Sequence, residues 1–275
     1  MRQILLFTAV LLITACSTIE IKESDVFDAH RTITPDTFNF TEFTFHEQVL
    51  ETDDGVKLNS WFLQNEKAVA TVLYLGGNGF LMVKSRPLIE AYSKIPVNLL
   101  LVDYRGYGLS SGEPSVAGVM SDAKAAFQFL KELDASASGP IFVHGHSMGS
   151  FLSAFIADTE VVEGYILESP IADVDGWTKS LVPWILRPFI RFDIDDAIRN
   201  QNNSERVTNI EVPLLIIGGN KDDITPFSMA ETLYNKSSSV SKKLVEIENG
   251  NHNNLPVYPE YRETILEFIQ QSIEP

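Results

Sequence analysis

The sequence predicts a single α/β domain on a mostly parallel central sheet of about eight strands, with antiparallel strands at one end. Three observations lead there. Short apolar strand-like runs alternate with stretches of helical spacing, the pattern that covers both faces of a parallel sheet with helices. Two further strand-like runs, joined across Asp53-Asp54-Gly55, precede that series, and an Asp-Gly pair in this position is a hairpin signal. The chain has 275 residues, 44% of them hydrophobic, which suffices for one large core, and no internal repeat or low-complexity tract divides it.

Taken in order, Phe45 to Leu50 and Val56 to Leu63 form the hairpin. Apolar strands follow at Thr71 to Leu75, Asn98 to Val102, Ile141 to Gly145, Glu163 to Leu167, Val212 to Ile217 and Lys243 to Ile247. Between them lie helix-like stretches near Met82 to Ser93, Val116 to Glu132 and Met148 to Ala157, and a terminal amphipathic helix starts near Tyr258. The stretch from about Asp173 to Arg206 breaks the alternation. Pro183 and Pro188 split it into two or three short helices, and Trp177, Leu181, Trp184 and Ile185 fall at helical spacing, a stripe expected to pack down on the body, with the lining of an acyl pocket as the alternative that the same side chains can also serve.

The N-terminus carries a targeting pattern. Met1-Arg2-Gln3 is a positive start, Ile4 to Ile13 is almost wholly apolar, Thr14-Ala15 are small, and the next residue is Cys16, the only cysteine. The apolar run is well short of the roughly 20 residues needed to span a bilayer. Ile13-Thr14-Ala15-Cys16 resembles a bacterial lipobox, which implies removal of residues 1–15 and acylation of Cys16, with an ordinary secretory signal as the alternative. Ser17 after the cysteine then favours the periplasmic side of the outer membrane in a Gram-negative host. Ser17 to about Thr41 is polar and reads as a tether to a domain spanning 42–275. A lone cysteine leaves no disulfide to stabilise the fold. The formal charge of −16 repels nucleic acid and anionic head groups, so membrane contact is expected from the lipid at Cys16.

The chemistry centres on Ile141-Phe142-Val143-His144-Gly145-His146-Ser147-Met148-Gly149. An apolar strand ends in G-x-S-x-G and runs straight into a helix-like segment, which holds the central serine on a tight turn with its hydroxyl out of the sheet. A serine nucleophile needs a base, and the base needs an orienting acid. Of five histidines, His30 and His46 read as surface residues. His144 and His146 read as packed or solvated imidazoles rather than a metal pair, and no metal or cofactor is called for. His252, in a polar loop after a strand, is the base candidate. The acid should lie between serine and histidine in the chain; the loop after Val212 to Gly219 offers Asp222 first and Asp223 as the fallback.

At this point the chain resembles an α/β-hydrolase, specifically the short-lidded serine hydrolases that combine G-H-S-M-G with D-Y-R-G-Y-G-x-S-x-G-x-P and G-x-x-D-x-x-x-P. The second motif reads Asp103-Tyr104-Arg105-Gly106-Tyr107-Gly108-Leu109-Ser110-Ser111-Gly112-Glu113-Pro114, and the third Gly219-Asn220-Lys221-Asp222-Asp223-Ile224-Thr225-Pro226. The resemblance covers roughly Glu47 to Gln271, aligns the family's aspartate with Asp222, and makes 173–206 a small helical lid. It also implies an oxyanion hole from the backbone amides of Asn78 and Met148. One departure stands out. The family usually has H-G-N after its first long parallel strand; here Gly76 stands where histidine is expected, which leaves open how the loop is held.

The expectation is therefore an exported, lipid-anchored serine hydrolase cleaving carboxyl esters or thioesters of a small-molecule or lipid acyl substrate. A peptidase of the same fold is the first alternative. A non-catalytic envelope lipoprotein is the second, with Gly76 as its best support.

Overall fold

The computed structural model describes residues 17–31, 34–133 and 139–273. Residues 1–15, expected to be a signal segment, and Cys16, expected to be acylated, lie outside the described residues. The strands are β1 (Ser17–Ile21), β2 (Thr44–Glu51), β3 (Lys57–Gln64), β4 (Ala70–Leu75), β5 (Val97–Val102), β6 (Ile141–His146), β7 (Gly164–Glu168), β8 (Ile190–Ile194), β9 (Leu214–Gly219) and β10 (Lys242–Ile247). The helices are α1 (Arg86–Tyr92), α2 (Val116–Glu132), α3 (Met148–Ala157), α4 (Val174–Ser180), α5 (Asp196–Arg199), α6 (Asn203–Arg206), α7 (Phe227–Lys236) and α8 (Pro259–Ile273). Among the described residues no helix is long and apolar enough to cross a membrane.

Eight strands form one sheet in the order β10-β9-β7-β6-β4-β5-β3-β2. The β2–β3 and β3–β5 pairs are antiparallel and the other five parallel. The hairpin turn closes through Thr52 N–H to the Val56 carbonyl (3.0 Å) and Gly55 N–H to the Thr52 carbonyl (2.8 Å).

The sheet's two faces explain why its central strands read as unbroken apolar runs: alternate residues are buried on opposite sides. Leu73, Val143, Leu167 and Ile216 share a core with α2, α3 and α7, while Val72, Phe142, Ile166 and Ile217 share another with α1 and α8. Helix α2 starts at Ser115, whose side chain accepts the Gly118 N–H at 3.1 Å.

Two expectations are corrected. Residues 17–31 are not a free tether. β1 pairs in parallel with β8 of the lid, Ser17 opposite Ile190 through Ile21 opposite Ile194. Beyond it, Glu23 accepts the Val116 N–H at 2.6 Å and Arg31 donates to the Ser110 carbonyl at 3.0 Å. The segment docks because its backbone pairs with β8 and its side chains find partners on the 103–116 loop.

The Trp177, Leu181, Trp184, Ile185 stripe also fails to pack as a unit. Trp177 is half-buried and donates its indole N–H to the Ile224 carbonyl (3.0 Å), but Leu181, Trp184 and Ile185 are exposed. Helix α4 ends at Ser180, before the stripe is complete, so the spacing does not keep one face.

Candidate active site

Ser147 lies at the junction of β6 and α3 with φ 52° and ψ −114°, in the left-handed half of backbone space that β-carbon sterics disfavour. The flanking glycines make that junction possible. A β-carbon on Gly149 would strike the Leu75 carbonyl on β4, and one on Gly145 would strike the Gly149 carbonyl. The Ser147 N–H donates to the Glu168 carbonyl (2.9 Å), tying the turn to the end of β7.

His252 reaches the serine from the loop between β10 and α8. Its Nε2 is 2.9 Å from Ser147 Oγ and its Nδ1 is 2.9 Å from Asp222 Oδ2. Asp222 comes from the loop after β9, where its Oδ1 accepts the N–H groups of Ile224 (3.0 Å) and Thr225 (2.7 Å). All three side chains are buried, whereas Asp223 is exposed. Burial pushes the Asp222 carboxyl up, but the His252 contact and the Thr225 hydrogen bonds outweigh it and hold it below the usual carboxylate range. The acid and base loops are fastened together by Lys221 N–H to the Gly250 carbonyl (2.8 Å) and Asn249 N–H to Asn220 Oδ1 (2.9 Å).

Three residues that sequence reasoning did not single out complete the arrangement. Thr225 Oγ1 lies 2.9 Å from Asp222 Oδ2, 3.0 Å from His252 Nδ1 and 3.0 Å from the Ser169 carbonyl, so it fixes the carboxylate edge that faces the imidazole. His146 is buried and its Nε2–H donates to the His252 carbonyl at 2.8 Å, with the two rings 4.9 Å apart. Burial, with the charges of His252 and His144, keeps its imidazole below the ordinary value of 6.5 despite the pull of Glu168. Glu168, also buried, accepts from Tyr261 Oη at 2.9 Å and lies 3.0 Å from His144 Nε2, whose ring contacts Tyr92 Oη at 2.6 Å. His144 and His146 are thus packed imidazoles with separate protein partners.

The loop after β4 carries Asn78. Gly76 has no room for any side chain, because a β-carbon there would overlap the Phe80 ring, which packs against Tyr74 at 5.5 Å. Phe80 fills the space above Gly76, and other groups hold the loop. Tyr104 Oη donates to the Gly76 carbonyl (3.0 Å), Tyr107 Oη and the Asp28 N–H both donate to Asn78 Oδ1 (2.8 Å each), and Asn78 Nδ2 donates to the Val26 carbonyl (2.8 Å). The second motif's tyrosines and the docked N-terminal segment together replace the missing histidine. Asn78, Ser147 and Met148 line one cleft, and Met148 opens α3, where N–H groups are free of the helical ladder.

That cleft has a volume of about 310 Å³. Beyond the polar end at Ser147 and His252 its walls are mostly apolar, with Phe27, Met120, Phe151, Ile171, Val174 and Trp177 among them and Gln201 as a polar exception. Phe27 belongs to the docked N-terminal segment and Trp177 to α4, so both elements wall the cleft.

A family model described as serine aminopeptidase, S33, matches residues 66–205. The chain belongs to that family of α/β-hydrolases. Curated relatives of the hydrolase include the Schizosaccharomyces pombe protein bem46, 27% identical over 246 residues that cover 87% of this chain and 80% of the relative. Escherichia coli YfhR is 26% identical over 235 residues, 81% of this chain and 79% of the relative. Among solved structures the hydrolase is similar to the Pyrococcus furiosus esterase Pf2001, with a TM-score of 0.71 at 22% identity, covering 88% of this chain and 98% of that one. It is also similar to Est1E from Butyrivibrio proteoclasticus, with a TM-score of 0.63 at 19% identity, covering 83% and 99%. At such identity these two likenesses concern the fold.

Proposed function

We propose that the protein cleaves small carboxyl esters or thioesters through an acyl-enzyme on Ser147. His252 removes the serine proton as Ser147 Oγ attacks the acyl carbon, and Asp222 holds the imidazole in the tautomer whose Nε2 accepts that proton. The amides of Asn78 and Met148 then face the developing oxyanion, at the positive end of α3. His252 returns the proton to the leaving alcohol or thiol, and water repeats the sequence to release the acid.

The observation that carries this reading is the joining of a buried Ser147–His252–Asp222 chain to a small apolar cleft. Among the described residues none that lines that cleft is acidic. An aminopeptidase needs an anion to hold the substrate's α-ammonium group, whereas an acyl chain asks only for apolar wall. The volume is near the lower end of small-ligand sites, which favours short acyl groups.

We also propose export, with Cys16 acylated and the protein held at the bacterial envelope, on the periplasmic face of the outer membrane in a Gram-negative host. The motif Ile13-Thr14-Ala15-Cys16 supports that reading. Mass spectrometry of the mature N-terminus tests it: a diacylglyceryl-modified Cys16 is expected, and an intact Met1 or an unmodified Cys16 would contradict it.

The activity test is a panel of p-nitrophenyl esters and acyl-thioesters of graded chain length beside amino-acid p-nitroanilides. Turnover of short esters at rates far above the anilides is expected. Preferential cleavage of the anilides would replace the ester reading with the peptidase one.

A further inference from the structure

The tip of the lid exposes more apolar surface than a solvated loop requires. Every residue from Pro183 to Phe189 is exposed, with Trp184 at 77% and Ile185 at 60%, and Leu181 just before them is exposed as well. Single exposed apolar side chains are ordinary, but Leu181, Trp184, Ile185, Leu186 and Phe189 all fall between Leu181 and Phe189.

The charge of this stretch runs against the rest of the chain. Thirty-seven acidic residues face 21 basic ones overall, yet from Lys179 to Arg191 the sequence holds Lys179, Arg187 and Arg191 and no acid. Those three line a hollow of about 350 Å³ beside the apolar stretch, and its one carboxylate, Asp175, is turned toward Arg199 at 3.8 Å. Neither Lys179 nor Arg191 pairs with a carboxylate among the described residues.

The N-terminal strand says what the patch meets. Ser17 lies opposite Ile190, the residue that follows Phe189, so the described chain begins at the edge of the patch. The 16 residues that precede it include the apolar run Ile4 to Ile13 and Cys16. Whether the chain keeps that run or exchanges it for an acyl group, its membrane-seeking end leaves the fold at the edge of the patch.

We propose that the lid tip, Leu181 to Phe189, is a second membrane contact, in which the apolar side chains enter a phospholipid monolayer and Lys179, Arg187 and Arg191 sit at the phosphate level. Tryptophan at the interface and basic side chains that bury their stems while keeping their charge wet suit that depth. The N-terminus alone would leave the domain free to swivel; two adjacent contacts fix its orientation. Helix α4, which puts Val174 and Trp177 into the cleft wall, leads directly into the tip, so the cleft lies one helix from the lipid.

The test uses the full-length protein in phosphatidylcholine vesicles whose acyl chains carry mid-chain bromines, compared with unbrominated vesicles. Bromine quenches only tryptophans that reach the chain region. Wild type should lose on the order of a third of its emission, the share of one tryptophan in three, and Trp184→Phe should lose little. Because Trp184 is exposed, that replacement removes no packing. Equal quenching of the two proteins, or none in either, would overturn the proposal. Sedimentation equilibrium in detergent covers the other occupant: a dimer abolished by Trp184→Ser with Ile185→Ser, together with an unquenched Trp184, would assign the patch to a second copy and also overturn it. Neither readout depends on Ser147, so failure here and failure of the hydrolase reading are distinguishable.

Discussion

Gly76→Ala is the sharpest probe of how the loop beside the serine is held. The added β-carbon would overlap Phe80 at its Cβ and ring, and Tyr74 stands behind that ring, so the ring can retreat only by moving the loop. Overpacking of this kind costs about 1–3 kcal/mol. Phe80→Ala alone removes a half-buried ring, at about 2 kcal/mol, roughly half the cost at a fully buried site. If the two effects were independent, the double variant would lose about 3–5 kcal/mol. Phe80→Ala removes the group that the new β-carbon strikes, so the double variant should lose only about 2 kcal/mol, a coupling of about 1–3 kcal/mol. Urea unfolding of the four proteins measures this cycle. Ester turnover measures its consequence: Gly76→Ala displaces the Asn78 amide, which in the proposed mechanism faces the oxyanion, so kcat should fall on the order of tenfold or more with KM little changed. Strict additivity, or a Gly76→Ala protein with wild-type stability and kcat, would refute the reasoning.

Other outcomes follow from the same geometry. Asp222→Asn should lower kcat by about 10³–10⁴-fold, while Asp223→Asn, at an exposed position, should change it little; the reverse ranking would move the acid to Asp223. Ser147→Gly should abolish turnover yet raise stability by about 1 kcal/mol, since glycine accepts φ 52° without steric cost; an unfolding midpoint below wild type would deny the strain. Asn78→Ala leaves the backbone amide but deletes three hydrogen bonds at an exposed site, so kcat should fall on the order of tenfold while substrate binding holds. For His146, burial keeps the folded pKa below the ordinary 6.5, so the unfolded chain binds the proton first as pH falls. Its contribution is complete above about 6.5 and is lost as pH drops from there through the folded pKa. His146→Gln should therefore flatten the decline in urea midpoint between about pH 7.5 and pH 5, and parallel declines would contradict the assignment.

The central strands of the large sheet were legible because both faces are buried, which turns each into an unbroken apolar run bounded by polar loops. Ser147 was legible for a local reason, since Gly145 and Gly149 mark a close approach that belongs to one turn. The remainder depends on distant pairings. β8 carries no apolar run of a core strand and forms only because β1, more than 150 residues earlier, lies beside it. Helix α7 went unread: it runs for only ten residues, and a polar loop precedes it. His146 looked like any buried imidazole until its Nε2 was found on the His252 carbonyl, and Thr225 looked like a loop residue until three polar groups met at its hydroxyl. The lid stripe failed because helical spacing has meaning only while the helix lasts, and α4 stops before Leu181.

Labelling with a fluorophosphonate probe tests the central claim most directly, because such probes phosphonylate a serine only where a neighbouring base and an oxyanion site activate it. Folded wild-type protein should label, and Ser147→Ala, equally folded by circular dichroism, should not. Labelling that persists in Ser147→Ala, or a folded wild type that takes no label, would contradict an activated Ser147.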